Sequence, residues 1–261
     1  MSPPHFHWTG TGLSHQGMVR TSNQDAFAID NDHGLWIVAD GMGGYTGGQV
    51  ASALATTAIM DHVRAVPATA PQEADRLSQA TAMLSHAIAT AKTAIQDRIT
   101  KEPDLRSMGT TVVTAWFLPD PVPSMAIAHL GDSRAYRIRD AHLELITTDH
   151  SLVQQLVAEG HITPDQAHDH PKRNVITRAL GLSFPSTPDI AVHPLNPEDV
   201  ILLCTDGLTK TLTDQDILAV ILEFRNTPEK ACQRLIDCAN AAGGIDNTTA
   251  LLITPSRPPS S

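Results

Sequence analysis

The chain has 261 residues with 41% hydrophobic content, enough for a substantial core, and it carries 28 Asp and Glu against 18 Lys and Arg, a formal net charge of −10. That balance argues against nucleic acid or an anionic membrane as the main partner and leaves an acidic excess suited to cations. Residues 1–15 hold no cationic region followed by an apolar one, and no apolar run approaches the roughly 20 residues of a membrane span, so a cytoplasmic protein is expected.

Short β-branched or aromatic runs predict strands over 26–30 and 35–40, joined by the turn Asn31-Asp32-His33-Gly34, and helices over 48–64 and 73–100, separated by Pro67 and Pro71. Strands follow at 110–117, 125–130, 134–139 and 143–147, then a helical turn at 151–159. Residues 150–185 break the rhythm with Gly160, Pro164, Pro171 and the basic Lys172, Arg173 and Arg178, and read either as a flap over a site or as an ordinary solvated loop pair. Strands at 189–193 and 199–204, helices at 214–224 and 228–242, and a last strand at 249–253 complete one domain over 1–254. The Pro/Ser tail 255–261 lacks apolar residues to bury and is expected to be disordered. Two consecutive helices and runs of uninterrupted strands suit helices outside two antiparallel sheets better than a βαβ alternation. Cys204, Cys232 and Cys238 make neither an even disulfide set nor a CxxC pair, and the 13 histidines show no HExxH spacing.

One pattern recurs. A buried-looking strand runs into an aspartate beside a glycine at Asp40-Gly41, at Gly131-Asp132 and, one residue after the strand, at Asp206-Gly207, while Asp246 precedes the last strand. Any one such pair reads as a plain turn. As a set they require compensation, because an ionised carboxylate at the end of a buried strand is costly unless paired or coordinated. Only Arg134 and Lys210 lie near them in sequence, so bound cations are the better compensation, and an all-oxygen donor set favours Mg²⁺ or Mn²⁺ over zinc. Arg20, five residues before Asp25, offers a guanidinium fork for a phosphoryl group, although on this segment alone a surface arginine is the simpler account.

Taken together, RTSNQD from Arg20 to Asp25, VADGMGG from Val38 to Gly44, Gly109-Thr110-Thr111, GDSR from Gly131, TDHS from Thr148, NVITRALG from Asn174, Thr205-Asp206-Gly207 and Asp246-Asn247 resemble the metal-dependent Ser/Thr protein phosphatase family (PPM, type 2C) in its short bacterial form. The resemblance implies an α+β fold: a four-layer αββα sandwich with two central antiparallel sheets and residues 150–185 as its flap. It implies that Asp40 bridges two cations, Mn²⁺ or Mg²⁺. The Gly41 carbonyl would bind one of them, Asp206 and Asp246 would complete the other, and Asp25 would act through bound water. Asp132, with Asp206, would hold a weaker third cation, and Arg20 would bind phosphate. Hydroxide generated between the cations would attack phosphoserine or phosphothreonine, with no covalent intermediate. Phosphorylated proteins, products of a Ser/Thr kinase, would be the substrates of a monomer. Some members carry histidine where this chain has Met42, and many bacterial relatives carry histidine where it has Tyr45, which leaves the general acid open between Tyr45 and a metal-bound water near Asp132. Other phosphatase chemistries lack their residues: the position six after Cys204 is Lys210, not arginine, and no DxDxT motif is present. The remaining alternative is a catalytically dead member that binds phosphoproteins or small signals, and the retained acids weigh against it.

Overall fold

The computed structural model describes residues 7–66, 76–119, 122–181 and 185–256, excluding the side chains of Tyr45 and Arg76. Strands β1 (His7–His15), β2 (Asp25–Asp30) and β3 (Leu35–Met42) lead into helices α1 (Gly44–Ala65) and α2 (Arg76–Lys101). After the short β4 (Gly109–Thr110) come β5 (Val112–Leu118), β6 (Ser124–Leu130), β7 (Arg134–Arg139) and β8 (His142–Leu145). Helices α3 (Leu152–Ala158) and α4 (Pro164–His168) precede β9 (Asp189–Pro194) and β10 (Val200–Cys204). Helices α5 (Asp206–Thr209), α6 (Asp214–Glu223) and α7 (Pro228–Ala241) then run to β11 (Thr248–Ser256).

Two antiparallel sheets result. One has the order β1-β11-β10-β7-β8, the other β2-β3-β5-β6-β9 with β4 beside β3. Period-two alternation divides each central strand between two cores. On β3, Leu35, Ile37 and Ala39 pack with Ala51, Ala55 and Ile59 of α1 and Leu84, Ile88 and Ile95 of α2. The other face, Trp36 and Val38, meets Ile201, Leu203, Leu251 and Ile253 of the facing sheet. Val200, Leu202 and Leu252 turn the opposite way onto Ile217 and Ile221 of α6 and Leu235 and Ile236 of α7. The layers are therefore helices, sheet, sheet, helices, as expected.

The differences are local. Strand β1 was not foreseen, because HWTGTGLSH contains no apolar run and two glycines that disfavour strand interiors. Its glycines make room: a Cβ at Gly10 would lie 2.2 Å from the Trp36 ring. Helix α1 starts at Gly44, four residues before the expected start, so the glycine loop is itself the helix N-terminus. The short helices α4 and α5 were not anticipated, while residues 73–75 of the expected second helix lie outside the described residues. Strand β11 continues through Ser256, pairing Pro255 with Trp8 and Ser256 with His7, so these two residues are strand and not tail; 257–261 lie outside the described residues.

Candidate metal centre

The acids gather where the inter-sheet layer opens. Asp25 shares the face of Phe27 and Ile29, and Asp40 that of Trp36 and Val38; the β2–β3 register sets Asp25 directly opposite Asp40. Asp206 begins α5 just past β10, and Asp246 sits two residues before β11. A cleft of about 720 Å³ is lined by Arg20, Asp40, Gly41, Asp132, Asp206 and Asp246, six positions drawn from five separate segments of the sequence. Asp25 is held beside it as the strand partner of Asp40.

The surrounding residues fix these acids. The hydroxyls of Thr205 and Thr249 donate to Asp25 Oδ2 at 2.8 and 2.7 Å. Thr111 receives the Asp40 N–H on its hydroxyl at 3.0 Å, donates its own N–H to the Asp40 carbonyl at 2.9 Å, and meets the Ser133 hydroxyl at 2.7 Å, linking the Asp40 strand to the residue after Asp132. Asn247 donates to the carbonyls of Gln16 and Ser22 and accepts from the Gln24 N–H, which ties the Arg20 loop to Asp246. Gly41 has no room for a side chain: a Cβ there would stand 2.1 Å from the Gly48 carbonyl oxygen and 2.5 Å from that of Gln24. None of the Thr205, Thr249 and Asn247 contacts was legible beforehand, since they join segments as far as 231 residues apart.

Two oxygens decide what this arrangement suits. Asp25 Oδ1 and Asp206 Oδ1 are buried without any hydrogen-bond partner, and such orphaned acceptors are costly. Desolvation pushes Asp25 up to about 7, with the charges of Asp206 and Asp246 adding to the rise. It likewise raises Asp132 to about 7, with Asp206 as the next contributor. Asp40 rises well above the ordinary range from burial and then from Asp25, Asp206 and Asp132; burial raises Asp206 as well, against the pull of Lys210. Crowded, desolvated carboxylates with free lone pairs and no histidine or cysteine among them fit hard divalent cations.

Among the described residues, two basic side chains meet the acids directly. Arg20 forms a fork on Asp246, with Nε 3.0 Å from Oδ1 and Nη2 3.1 Å from Oδ2, and its side chain is 54% exposed at the cleft rim. Lys210 Nζ stands 2.5 Å from Asp206 and 3.2 Å from Asp246. From the segment between β8 and β9, Asn174 and Ile176 reach the cleft wall. Unlike its exposed basic neighbours Lys172 and Arg173, Arg178 is committed to Asp189 at 2.6 Å. That pair belongs to a separate knot. His150 accepts the Gly131 N–H on Nδ1 at 3.2 Å and faces Asp189 with Nε2 at 3.1 Å, while the His129 ring stacks on it at 4.6 Å and bonds the Thr148 carbonyl. Two imidazoles and a carboxylate this close have the composition of a metal site, but Arg178 already provides the positive charge. The TDHS segment was the available signal for His150; its role in the knot was not legible.

Residues 10–239 match the family described as Protein phosphatase 2C. The chain belongs to that family. It is 35% identical over 241 residues to the serine/threonine phosphatase stp of Listeria monocytogenes, covering 91% of this chain and 92% of that one. To the serine/threonine protein phosphatase PstP of Mycobacterium tuberculosis it is 36% identical over 239 residues, 92% of this chain but 43% of PstP, so it spans less than half of that relative. The catalytic domain of PstP in complex with two manganese ions superposes with a TM-score of 0.79 at 32% identity, covering 96% of this chain and 98% of that one. The Streptococcus agalactiae serine/threonine phosphatase gives a TM-score of 0.85 at 34% identity, covering 95% and 100%. Like those phosphatases, this 2C-family chain has two antiparallel sheets flanked by helices. Met42 lines the cleft and has no proton to give. Tyr45 lies in the first turn of α1, and its side chain is outside the described residues.

Proposed function

We propose that this chain hydrolyses phosphoserine and phosphothreonine esters in proteins, with Asp25, Asp40, the Gly41 carbonyl, Asp206 and Asp246 holding two divalent cations, Mn²⁺ or Mg²⁺, and Asp132 with Asp206 a weaker third. The observation that carries this reading is the pair of buried, unpartnered carboxylate oxygens on Asp25 and Asp206 inside a ring of raised acids. When bound, divalent cations would supply an acidified water and neutralise negative charge on the phosphoryl oxygens. The chain's own residues do the rest. Thr205 and Thr249 orient Asp25; Thr111 and Ser133 keep Asp40 and Asp132 in register. Arg20, exposed at the rim, holds the phosphoryl oxygens through the same two-nitrogen fork it now presents to Asp246. No protein nucleophile is required, and Cys204, fully buried with its thiol pushed up to about 12 by burial, is unsuited to be one. Phosphoproteins made by a Ser/Thr kinase are the substrates of this reading, acted on by a cytoplasmic monomer. Among the described residues no helix is long and apolar enough to cross a membrane.

The test is phosphate release from phosphothreonine peptides with Mn²⁺, with Mg²⁺ and with chelator, run beside calorimetric cation binding. Asp40→Asn or Asp206→Asn should weaken cation binding and lower kcat by at least about 100-fold, roughly 2.7 kcal/mol of barrier. Near-normal turnover by either folded variant would refute the assignment, and cation binding without any turnover would favour the dead-binder alternative.

A further inference from the structure

Three large apolar side chains stand exposed beside the acid centre: Met18 at 67%, Val19 at 65% and Ile245 at 52%. None belongs to the apolar clusters formed among the described residues. Met18 and Val19 immediately precede Arg20, and Ile245 immediately precedes Asp246, the carboxylate on which Arg20 rests. Their support is built. The N–H groups of Met18 and Val19 both donate to the Gly244 carbonyl, at 2.7 and 3.3 Å. A Cβ on Gly244 would fall 2.7 Å from Met18 Cγ, so the bare glycine is what seats the methionine.

Apolar side chains exposed singly carry no message, whereas a group of them rimmed by charged residues marks a contact surface. We propose that Met18, Val19 and Ile245, which directly precede the cleft residues Arg20 and Asp246, form an apolar subsite that receives an apolar side chain of the phosphopeptide substrate. This rests on the phosphatase reading and deepens it by naming a substrate class. The reach sets the position. Met18 and Val19 lie within two residues of Arg20, a distance that an extended peptide rising about 3.3 Å per residue matches with a side chain two or three positions from its phosphorylated residue. A second copy of the chain is a poorer occupant, because three side chains fall well short of the roughly 800 Å² per partner of a stable interface.

The experiment uses phosphothreonine peptides carrying Leu or Ser at each of three positions on either side of the phosphoresidue, with nitrophenyl phosphate as the substrate lacking such a side chain. Wild type should favour Leu over Ser in kcat/KM by at least about fivefold at a position two or three residues away, as expected for burying part of one apolar side chain. In the Met18→Ser/Ile245→Ser double variant the preference should fall below about twofold while nitrophenyl phosphate turnover is unchanged. Absence of preference in wild type, its persistence in the variant, or equal losses on nitrophenyl phosphate would each overturn the subsite. So would a wild-type dimer in sedimentation that the double variant dissolves with peptide preference intact. If no substrate is turned over with Mn²⁺, the phosphatase reading fails separately, and fluorescence anisotropy of the labelled peptides with Mn²⁺ then decides the subsite: a Leu preference lost in the variant upholds it, and none overturns it.

Discussion

Replacing Asp25 by Asn should stabilise the cation-free protein while impairing cation binding. The physical basis is the Asp25 carboxyl, displaced by burial from 3.8 to about 7. At about 1.4 kcal/mol per pH unit, its ionised form in the folded chain is penalised on the order of 4 kcal/mol. The sign follows from linkage: with the folded value above the unfolded one, the native state binds more protons between roughly pH 4 and 7. Stability from this group is complete below about pH 4 and is lost as pH rises through about 7. Asparagine retains an oxygen for the Thr205 and Thr249 hydroxyls and carries no charge. Relaxation of the site and solvent reaching the cleft offset part of the penalty, and a gain of about 2 kcal/mol is expected at pH 8. For a domain of this size that is roughly 4–8 °C in Tm. Thermal unfolding in chelator, wild type against variant from pH 4 to 8, is the assay. The variant's advantage should grow across pH 4–7 and level off above, and adding Mn²⁺ should raise wild type more than the variant. A variant less stable than wild type at pH 8, or an advantage independent of pH, would refute the reasoning.

Arg20→Ala should raise KM for phosphopeptides by about 10- to 100-fold, the loss of a charge-assisted fork, with calorimetric cation binding kept; an unchanged KM would place the phosphate elsewhere. Lys172→Ala/Arg173→Ala should slow phosphoprotein hydrolysis more than that of nitrophenyl phosphate, since both residues are exposed while Arg178 is engaged by Asp189; equal losses would mean that the segment shapes the acid centre. If Tyr45 protonates the leaving oxygen, Tyr45→Phe should slow phosphoserine peptides and spare nitrophenyl phosphate, whose leaving group departs unaided; parallel rates on both would remove Tyr45 from the reaction.

The acids were legible because strand and glycine signals are local. Trp36 and Val38 declare a buried strand, and an aspartate continuing its face must end where two faces meet. The layered architecture was legible from two adjacent helices followed by strands without crossovers. Strand β1 was not, because Gly10 and Gly12 lower its propensity and its existence depends on β11 as partner and on Trp36 as the ring that fills the space above Gly10. The same holds at the centre. Lys210 was visible as a nearby charge, yet its approach to Asp206 and Asp246 at once depends on α5 turning directly beneath the β11 loop. Arg178 looked like its basic neighbours until Asp189, eleven residues on, was brought to it by the pairing of β9 with β6. Side chains whose partners lie on another strand have no local signature.

The placement of the carboxylates explains why so unfavourable a cluster can be held. A charge penalised by kcal/mol must be carried by a frame that cannot relax around it, and here Asp25 and Asp40 are opposed across an antiparallel pair whose register is set by residues on both faces. Moving β3 by one residue would turn Asp40 into the layer where Ala39 meets α1 and bring Ala39 to the cleft, at the same time exchanging Trp36 with Leu35 and Val38 with Ile37. The apolar pattern that buries each face therefore also aims the acid. The repulsion among Asp25, Asp40, Asp132 and Asp206 cannot be relieved by sliding a strand without unpacking two cores. What remains is protonation or a bound cation, and near neutral pH, where Asp25 and Asp132 titrate, the two compete for the same oxygens. Cation binding should therefore release protons, and the number released should shrink as pH rises above about 7. Calorimetry in buffers of different ionisation enthalpy measures that number directly, and a count of zero at pH 6.5 would show that the carboxylates are already ionised before the cation arrives.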